Sequence, residues 1–578
     1  MKRCPQCSRV EIDDALAFCR ADGTPLINES GSWSVDASTA KFSSGAASTE
    51  SETSILPHTS TAPPGNRSTA PTTVLPLDVP STKHELKNSK RIRFVIVCAI
   101  SAVVVVAVVV SLYFRANDTA DIESIAVLPF QNVSNDPNIE YLSDGIAESL
   151  INSLTQLQQL RVIARSTAFR YKGKDVDPEA IGRELKVRAV LMGRVRQTGE
   201  MLNVQVDLVD AANGGQLWGA EYERNVSDIV NVKQAIAREV TEKLRLRLSG
   251  EQQQQLVKRD TTNAEAYQFY LRGRYYWNRR TADGLKRAIA EFQQAIDHDP
   301  NYALAYAGLA DCYLLLEQYA GTPASETLPK GRAAAQRALQ IDDALPEAHT
   351  SLAFYYSQSR QWEESEKEFK RAISLNPNYA TARQWYQSYL RATGRFDEAL
   401  AEIKRARELD PLSPILRVNL ATVYLRMGDV DSALEEAKLL AEFEPNFPLA
   451  HEPLGKVYVK QRKYAEAVAA FERDAAVDRT AFALSRLGHA YALAGRREDA
   501  LAVLQELEQK YKMRESLGQY VALVHLGFGD LDQTFAWLEK DFQGNSGLLD
   551  YFITDPLFDS IRNDARYADL LRRMGLSS

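Results

Sequence analysis

Cysteine is scarce in this chain. It occurs five times among 578 residues, and Cys4, Cys7 and Cys19 all fall within the first nineteen positions. The other two, Cys98 and Cys312, lie far apart, so the spacing predicts no disulfide framework. Because a single hydrophobic core rarely extends beyond about 300 residues, a chain of this length must contain several modules.

Signatures of catalysis are also missing. The sequence has no G-x-x-x-x-G-K-[ST] phosphate loop, no H-E-x-x-H, no G-x-S-x-G elbow and no protein kinase motif set. We expect the scattered histidines of the C-terminal half to occupy ordinary helical positions and not to act as catalytic bases; they are His298, His349, His451, His489 and His525. The net charge of -7 gives no sign of a nucleic-acid surface.

A long apolar run is present at residues 94–114, FVIVCAISAVVVVAVVVSLYF, which contains no charge. A helix of that length matches the hydrocarbon core of a bilayer, about 30 Å thick. The run begins too late in the chain for a cleaved signal peptide. It predicts a transmembrane helix, and a buried helix of a soluble protein is the alternative.

Basic residues crowd the amino-terminal flank of this run, and acidic residues follow it. The flanking residues are Lys83, Lys87, Lys90, Arg91 and Arg93 before it, and Arg115, Asp118, Asp121 and Glu123 after it. By the positive-inside rule the N-terminus is cytoplasmic. The sequence therefore predicts a single-pass inner-membrane protein of a Gram-negative-type bacterium, with its C-terminal region in the periplasm.

The N-terminal cysteines have the spacing C-x2-C-x11-C-x2-D. In a reducing compartment such a cluster favours metal binding, and Cys4, Cys7, Cys19 and Asp22 could complete a tetrahedral zinc site. Residues 1–27 resemble a zinc ribbon, a family in which the fourth ligand is usually cysteine. A degenerate ribbon without metal, or free thiols, are the alternatives. The Ser/Thr/Pro-rich residues 28–90 predict a disordered linker.

Residues 122–250 alternate strand and helix patterns. IESIAVLPF and LRVIARS predict strands, DGIAESLINSLTQL predicts a helix, and Pro178 opens another helix. In MLNVQVDLVD apolar and polar residues alternate, which predicts a half-buried strand paired through QTGE with RAVLMGRVR. QLWGAEYER predicts a further strand, and a closing helix begins at Asp228.

These segments resemble the TolB-like amino-terminal domain. The resemblance lies in the sequences SIAVLPFQNVSND, YLSDGIAESLINSL and VLMGRVRQTGEMLNVQVDLVDA. The resemblance implies an α/β interaction module without established catalysis. In bacterial proteins that domain often lies between a membrane helix and tetratricopeptide repeats.

Small residues recur about every 34 positions from 264 to 543, as expected for tetratricopeptide repeats. They are Ala288, Gly331, Ser365, Ala399, Ala433, Ala467 and Ala500. The longer first interval predicts an extra loop, LEQYAGTPASETLP, and residues 544–578 predict C-terminal capping helices. In such a solenoid the first helices line a concave groove that accepts peptides or partner helices. The sequence does not identify which residues of the groove contact a partner.

The predicted fold class is multidomain and mainly α: a superhelical solenoid, an α/β domain, one transmembrane helix and a small zinc knuckle. The predicted function is a non-enzymatic membrane scaffold or signalling protein that binds protein or peptide partners, with zinc as a structural cofactor and nucleic acid unlikely as a partner. The alternatives are a membrane-tethered transcription regulator acting through the ribbon and an enzyme with its site in the TolB-like domain.

The predicted sidedness is testable with alkaline phosphatase, which works only outside the cytosol. Fused after residue 578, the enzyme should be active in intact cells. Fused after residue 90, before the apolar run, it should be silent. A silent but intact and well-expressed C-terminal fusion would contradict the assigned orientation.

Overall fold

The computed structural model describes residues 122–576 apart from 135, 245, 247, 251 and 253–259, together with three short N-terminal strands. The chain divides into two parts, 1–106 and 107–578. In the first, β1 (Lys2–Arg3) pairs antiparallel with both β2 (Val10–Glu11) and β3 (Ile27–Asn28).

Several predictions fall outside the described residues: the membrane span at 94–114, linker residues 29–90 and the four zinc ligands Cys4, Cys7, Cys19 and Asp22. Among the helices that are described, none combines the length and apolarity needed to cross a membrane. The span therefore stays a prediction.

A mixed sheet forms the core of the α/β domain. Its strands are β4 (Ser124–Val127), β5 (Gln131–Asn132), β6 (Arg161–Val162), β7 (Ala189–Thr198), β8 (Met201–Asp210) and β9 (Gly215–Asn225). The order is β6-β4-β7-β8-β9, with β5 beside the far end of β7. Strands β4, β5 and β6 make parallel pairs, whereas β7, β8 and β9 form the antiparallel meander predicted from their alternation.

Helices cover both faces of the parallel part of the sheet. They are α1 (Glu140–Thr155), α2 (Arg165–Ala168), α3 (Pro178–Leu185) and α4 (Ile229–Lys243), with single 3-10 turns at Pro137–Ile139, Phe169–Tyr171 and Val226–Asp228. Because side chains alternate along a strand, Ile125 and Val127 of β4 pack with α1 and α4, while Ala126 packs with α3. The predicted strand LRVIARS is strand only at Arg161–Val162 and then turns into α2.

Eight helical hairpins, repeats 1 to 8, follow. They are α5 (Ala264–Trp277) with α6 (Ala282–His298), α7 (Ala303–Ala320) with α8 (Ala324–Ile341), α9 (Pro346–Gln358) with α10 (Trp362–Leu375), α11 (Ala380–Ala392) with α12 (Phe396–Leu409), α13 (Pro414–Met427) with α14 (Val430–Phe443), α15 (Glu452–Lys460) with α16 (Tyr464–Val477), α17 (Ala481–Leu493) with α18 (Arg497–Lys512), and α19 (Gly518–Phe528) with α20 (Leu531–Gln543). The mainly helical solenoid predicted from the period is confirmed.

The interpretation of LEQYAGTPASETLP as an extra loop is wrong. Helix α7 continues through Ala320 and α8 begins at Ala324, so only residues 321–323 form the turn. The additional residues lengthen both helices of repeat 2 to 18 residues. Pro329 lies inside α8 as its sixth residue, beyond the first turn, so it removes one helical hydrogen bond from this helix.

Each hairpin turns through one residue with positive φ. Five repeats use glycine there: Gly321, Gly394, Gly428, Gly495 and Gly529. Repeats 1, 3 and 6 use arginine: Arg280, Arg360 and Arg462. A side chain in this left-handed conformation costs on the order of 1 kcal/mol relative to glycine, so the three arginines are locally unfavourable.

The C-terminal segment, residues 544–576, packs on repeats 7 and 8. It contains α21 (Leu549–Ile553), a 3-10 helix (Pro556–Ile561) and α22 (Ala565–Arg573). Phe558 and Leu570 join one apolar cluster with Leu484 of α17 and Val521 of α19. The open end of the solenoid is covered in this way.

The α/β domain docks on repeat 1 through a close approach of α1 to α5. A Cβ added to Gly145 would lie 2.8 Å from Leu271 Cδ2 and 2.9 Å from Leu271 Cβ. Beside this contact, the Tyr267 hydroxyl donates to Ser149 Oγ over 2.8 Å. Only glycine permits this helix spacing.

We therefore expect Gly145→Val to push α1 away from α5 and to lower the free energy of unfolding by about 1–3 kcal/mol. Denaturant unfolding of the full-length chain measures this. Gly250→Val is the matched control, because nothing lies within 4 Å of an added Cβ there. Equal effects of the two substitutions would contradict the docking.

Candidate functional site

The repeats enclose a central cavity of about 1260 Å³. First helices of seven repeats contribute to its wall, and repeat 6 contributes residues 447–449 just before α15. Aromatic side chains dominate the apolar part of the lining: Trp277, Phe354, Trp362, Tyr379, Trp385, Tyr389, Phe482 and Tyr520. A cavity of this size and character suits an extended ligand.

One wall of the cavity comes from the α/β domain. Asn378, in the turn that ends repeat 3, donates to the carbonyl oxygens of Leu157 and Leu160 over 3.3 and 3.0 Å. In the turn after repeat 4, Asp410 accepts hydrogen bonds from Ser166 and from Thr167. The domain thus lies across successive repeat ends and narrows the groove.

The opposite wall comes from the C-terminal segment, which closes the solenoid on itself. Arg360, in the turn of repeat 3, donates through Nε to Asp550 Oδ1 over 2.8 Å and through Nη2 to the Ser546 carbonyl over 3.0 Å. In α7, Glu317 Oε2 accepts from the backbone N–H of Gly547 over 3.1 Å. These contacts join residues about 190 to 230 positions apart and define the seam.

Two carboxyl groups of the seam have unusual pKa values. Burial raises the pKa of Glu317 from 4.5 to about 7, although Ser546 and Gly547 hydrogen-bond to it. Burial also raises the pKa of Asp550 from 3.8 to about 7, because the nearby Arg360 compensates only part of the lost hydration. The seam therefore holds groups that titrate near neutrality.

A charged network lies where α1, α2 and α5 meet at the cavity. Glu148 Oε1 accepts from Arg274 Nε over 2.8 Å. Its Oε2 accepts from Asn278 Nδ2 over 2.8 Å and lies 2.8 Å from Arg165 Nε. Burial opposes ionisation, but the two guanidinium groups outweigh it, so the pKa of Glu148 is lowered. This network is internally paired and positions the domain wall.

Other polar atoms at the cavity have no partner among the described residues. These are the buried acceptors Gln358 Oε1, Gln519 Oε1 and Asp550 Oδ2, and the buried donor Trp277 Nε1. Unpaired polar groups in a protein interior carry a desolvation penalty unless a ligand or water pairs with them. Each of these four atoms is sealed from solvent, so it lies behind the open surface of the cavity.

Sequence reasoning placed the site on the concave face but did not identify these residues. None of the five predicted helical histidines lines the cavity. Within the described part of the chain, no group of three His, Cys, Asp or Glu residues could hold a metal ion. The predicted zinc ligands Cys4, Cys7, Cys19 and Asp22 lie outside that part and are untested.

Family comparisons identify the repeats and relate the α/β domain to known regulators. Tetratricopeptide repeat models match residues 346–379, 390–457 and 453–512. Residues 120–238 match the model of the HilA/YgeH-like transcriptional regulator, second domain. The chain thus contains tetratricopeptide repeats, and the resemblance of its α/β domain to TolB-like domains stays a prediction.

Individual relatives cover only part of the chain. A protein of Rhizobium meliloti (strain 1021) with the provisional name adenylate cyclase 3 is 35% identical over 246 residues, which are 42% of this chain and 42% of the relative. Transcriptional regulator HilA of Salmonella typhimurium is 27% identical over 117 residues, 20% of this chain and 21% of that protein. The solved structure of PilF from Pseudomonas aeruginosa aligns with 37% of this chain and 93% of its own, at 21% identity and a TM-score of 0.30.

The raised pKa of Glu317 predicts a pH-dependent effect of Glu317→Gln. The contribution of Glu317 to the free energy of unfolding is fully present below pH 4.5. About 3 kcal/mol of this free energy is lost as the pH rises through about 7. The glutamine is neutral and can still accept from Gly547. We therefore expect Glu317→Gln to raise the melting temperature at pH 8 and to leave it unchanged at pH 4.

Glu326→Gln in the same repeat is the control, because Glu326 is exposed and pairs with Arg514 at the surface. It should have little effect at either pH. An increase in melting temperature for Glu317→Gln that is equal at pH 4 and pH 8 would contradict the raised pKa of Glu317.

Proposed function

We propose that this chain is a non-enzymatic scaffold or signalling protein that binds an extended peptide segment of a partner protein in its central cavity. The observation that carries the proposal is the walled central cavity: first helices of the repeats, the α/β domain and the C-terminal segment all contribute to one lining. Tetratricopeptide repeats in general imply protein or peptide partners.

The chemistry of the lining supports a peptide. Aromatic rings such as Trp385 and Tyr389 offer apolar contact to side chains. Half-buried polar side chains of the lining, such as Thr381 and Gln384, can exchange hydrogen bonds with the backbone of a peptide. A purely apolar ligand would leave such groups without partners.

The proposal includes the membrane and the N-terminal knuckle. Residues 94–114 would anchor the chain in the inner membrane, with the cavity in the periplasm and residues 1–27 in the cytoplasm. Zinc would be held by Cys4, Cys7, Cys19 and Asp22. The described strands are compatible with such a knuckle, since the first two ligands fall in sequence between β1 and β2 and the other two between β2 and β3. Occupancy of the cavity would be reported across the membrane to this knuckle.

A membrane-tethered transcription regulator is the second candidate. The match of residues 120–238 to the second domain of HilA/YgeH-like transcriptional regulators favours it. The N-terminal thirty residues would have to contact DNA, but Lys2, Arg3, Arg9 and Arg20 are outnumbered there by Glu11, Asp13, Asp14, Asp22 and Glu29. That charge balance does not attract phosphates, so the peptide-binding scaffold ranks first.

Blocking the cavity tests the proposal. Gln384 of α11 lines the cavity, whereas Lys404 of α12 is exposed outside that lining. On an array of random dodecapeptides, the full-length chain purified in detergent should bind a subset of sequences. Gln384→Trp should weaken those interactions by more than about tenfold, because the indole fills space that the peptide needs.

Lys404→Trp is the matched control and should leave binding unchanged. Absence of any bound peptide, or equal loss in the two variants, would contradict a peptide site in the cavity.

A further inference from the structure

The turn arginines of repeats 1 and 3 occupy equivalent positions. The N–H of Arg280 donates to the Trp277 carbonyl over 3.2 Å, and the N–H of Arg360 donates to the Ser357 carbonyl over 3.0 Å. Both residues have positive φ, 53° and 58°. Three residues separate donor and acceptor in each case, so the two turns present their side chains from the same backbone framework.

Arg360 shows what such a guanidinium does when a carboxylate is available. It binds Asp550 Oδ1 and the Ser546 carbonyl, and its guanidinium carbon lies 5.3 Å from the centre of the Phe542 ring. Asp550 comes from the C-terminal segment, about 190 residues away in sequence. An aromatic ring and a carboxylate together hold this arginine.

Arg280 has the ring but not the carboxylate. Its guanidinium carbon lies 3.6 Å from the centre of the Trp277 ring, and both residues line the cavity. Within the described part of the chain, the Arg280 side chain makes no hydrogen bond and no ion pair. Burial lowers the pKa of this guanidinium, which an arriving carboxylate would oppose.

We propose that Arg280, stacked on Trp277, is the binding site for a carboxylate of the ligand in the central cavity, in the role that Asp550 has toward Arg360. The inference rests on the proposed peptide-binding function and names the ligand class as a peptide with an acidic side chain or a free C-terminus. A guanidinium and a carboxylate form charge-assisted hydrogen bonds in a fixed geometry, which gives both affinity and register.

The cavity lining carries charges of both signs. Its basic residues are Arg165, Arg274, Arg279, Arg280, Lys286, Arg479, Lys510 and Arg514, and its acidic residues are Glu148, Glu317, Asp410, Asp478, Glu515 and Asp550. A peptide can present side chains of either sign to such a lining, whereas a nucleic acid presents phosphates alone. A peptide can therefore place one carboxylate at Arg280 and neutral or basic groups beside the carboxyl groups.

The test substitutes glycine, the residue that five other repeats have at this turn position. Arg280→Gly removes the guanidinium and relieves the left-handed backbone, so the variant should fold at least as well as the natural chain. Arg462→Gly is the matched control: Arg462 has φ 59°, is exposed and lies outside the cavity lining.

The probe is an array of random dodecapeptides, each present with a free and with an amidated C-terminus, probed with the full-length chain. Peptides that carry a carboxylate should be enriched among the bound sequences. Arg280→Gly should weaken them roughly 10- to 100-fold while neutral peptides keep their affinity. Arg462→Gly should change neither set. Loss on amidation assigns the carboxylate to the peptide terminus, and persistence after amidation assigns it to Asp or Glu.

Two results would overturn the inference and leave peptide binding intact: equal binding of acidic and neutral peptides, or acidic-peptide affinities unchanged in Arg280→Gly. Absence of binding by every peptide would instead contradict the proposed function. If a short oligoadenylate binds more tightly than any acidic peptide and depends on Arg280, the ligand class is wrong.

Discussion

The architecture depends on the seam where the C-terminal segment meets repeats 2 and 3. In a repeat solenoid each unit contacts mainly its neighbours, so the groove is open and its two ends are independent. Here Arg360 binds Asp550, and Glu317 accepts from Gly547. Because these contacts join distant repeats, they turn a groove into a walled cavity, and every later conclusion about the ligand follows from that enclosure.

The seam achieves closure at an energetic cost. Removing a carboxylate and a guanidinium from water is unfavourable, and a buried ion pair often adds little net stability. The pKa of Asp550 rises to about 7 even beside Arg360, so burial outweighs the attraction between the two charges. We interpret the pair as a device that specifies where the segment docks. Its geometry also shows how the cavity could hold a carboxylate from outside.

Periodicity in the sequence predicted the helical hairpins, and strict alternation predicted the pairing of β7 with β8, because both patterns are local. The seam and the docking of Asn378 on the α/β domain were not predictable, because they join residues about 190 to 230 positions apart. Repeat 2 was misinterpreted because the longer first interval was assigned to an inserted loop, whereas the additional residues lengthen both helices of the hairpin. Arginine at a turn where most repeats have glycine could have indicated Arg280 of the central cavity from the sequence alone.

Closure of the solenoid is measured most directly by the distance between two nitroxide spin labels on the full-length chain, determined by electron paramagnetic resonance. Labels at 326 in repeat 2 and 514 after α18 report on positions whose side chains are in contact across the ring, 3.2 Å apart between Glu326 Oε1 and Arg514 Nη1. Cys4, Cys7, Cys19 and Cys98 would be replaced by serine, and Cys312 is buried. A closed ring predicts one narrow distribution at the shortest distances that the method resolves. A broad or long-distance distribution would contradict the closed cavity.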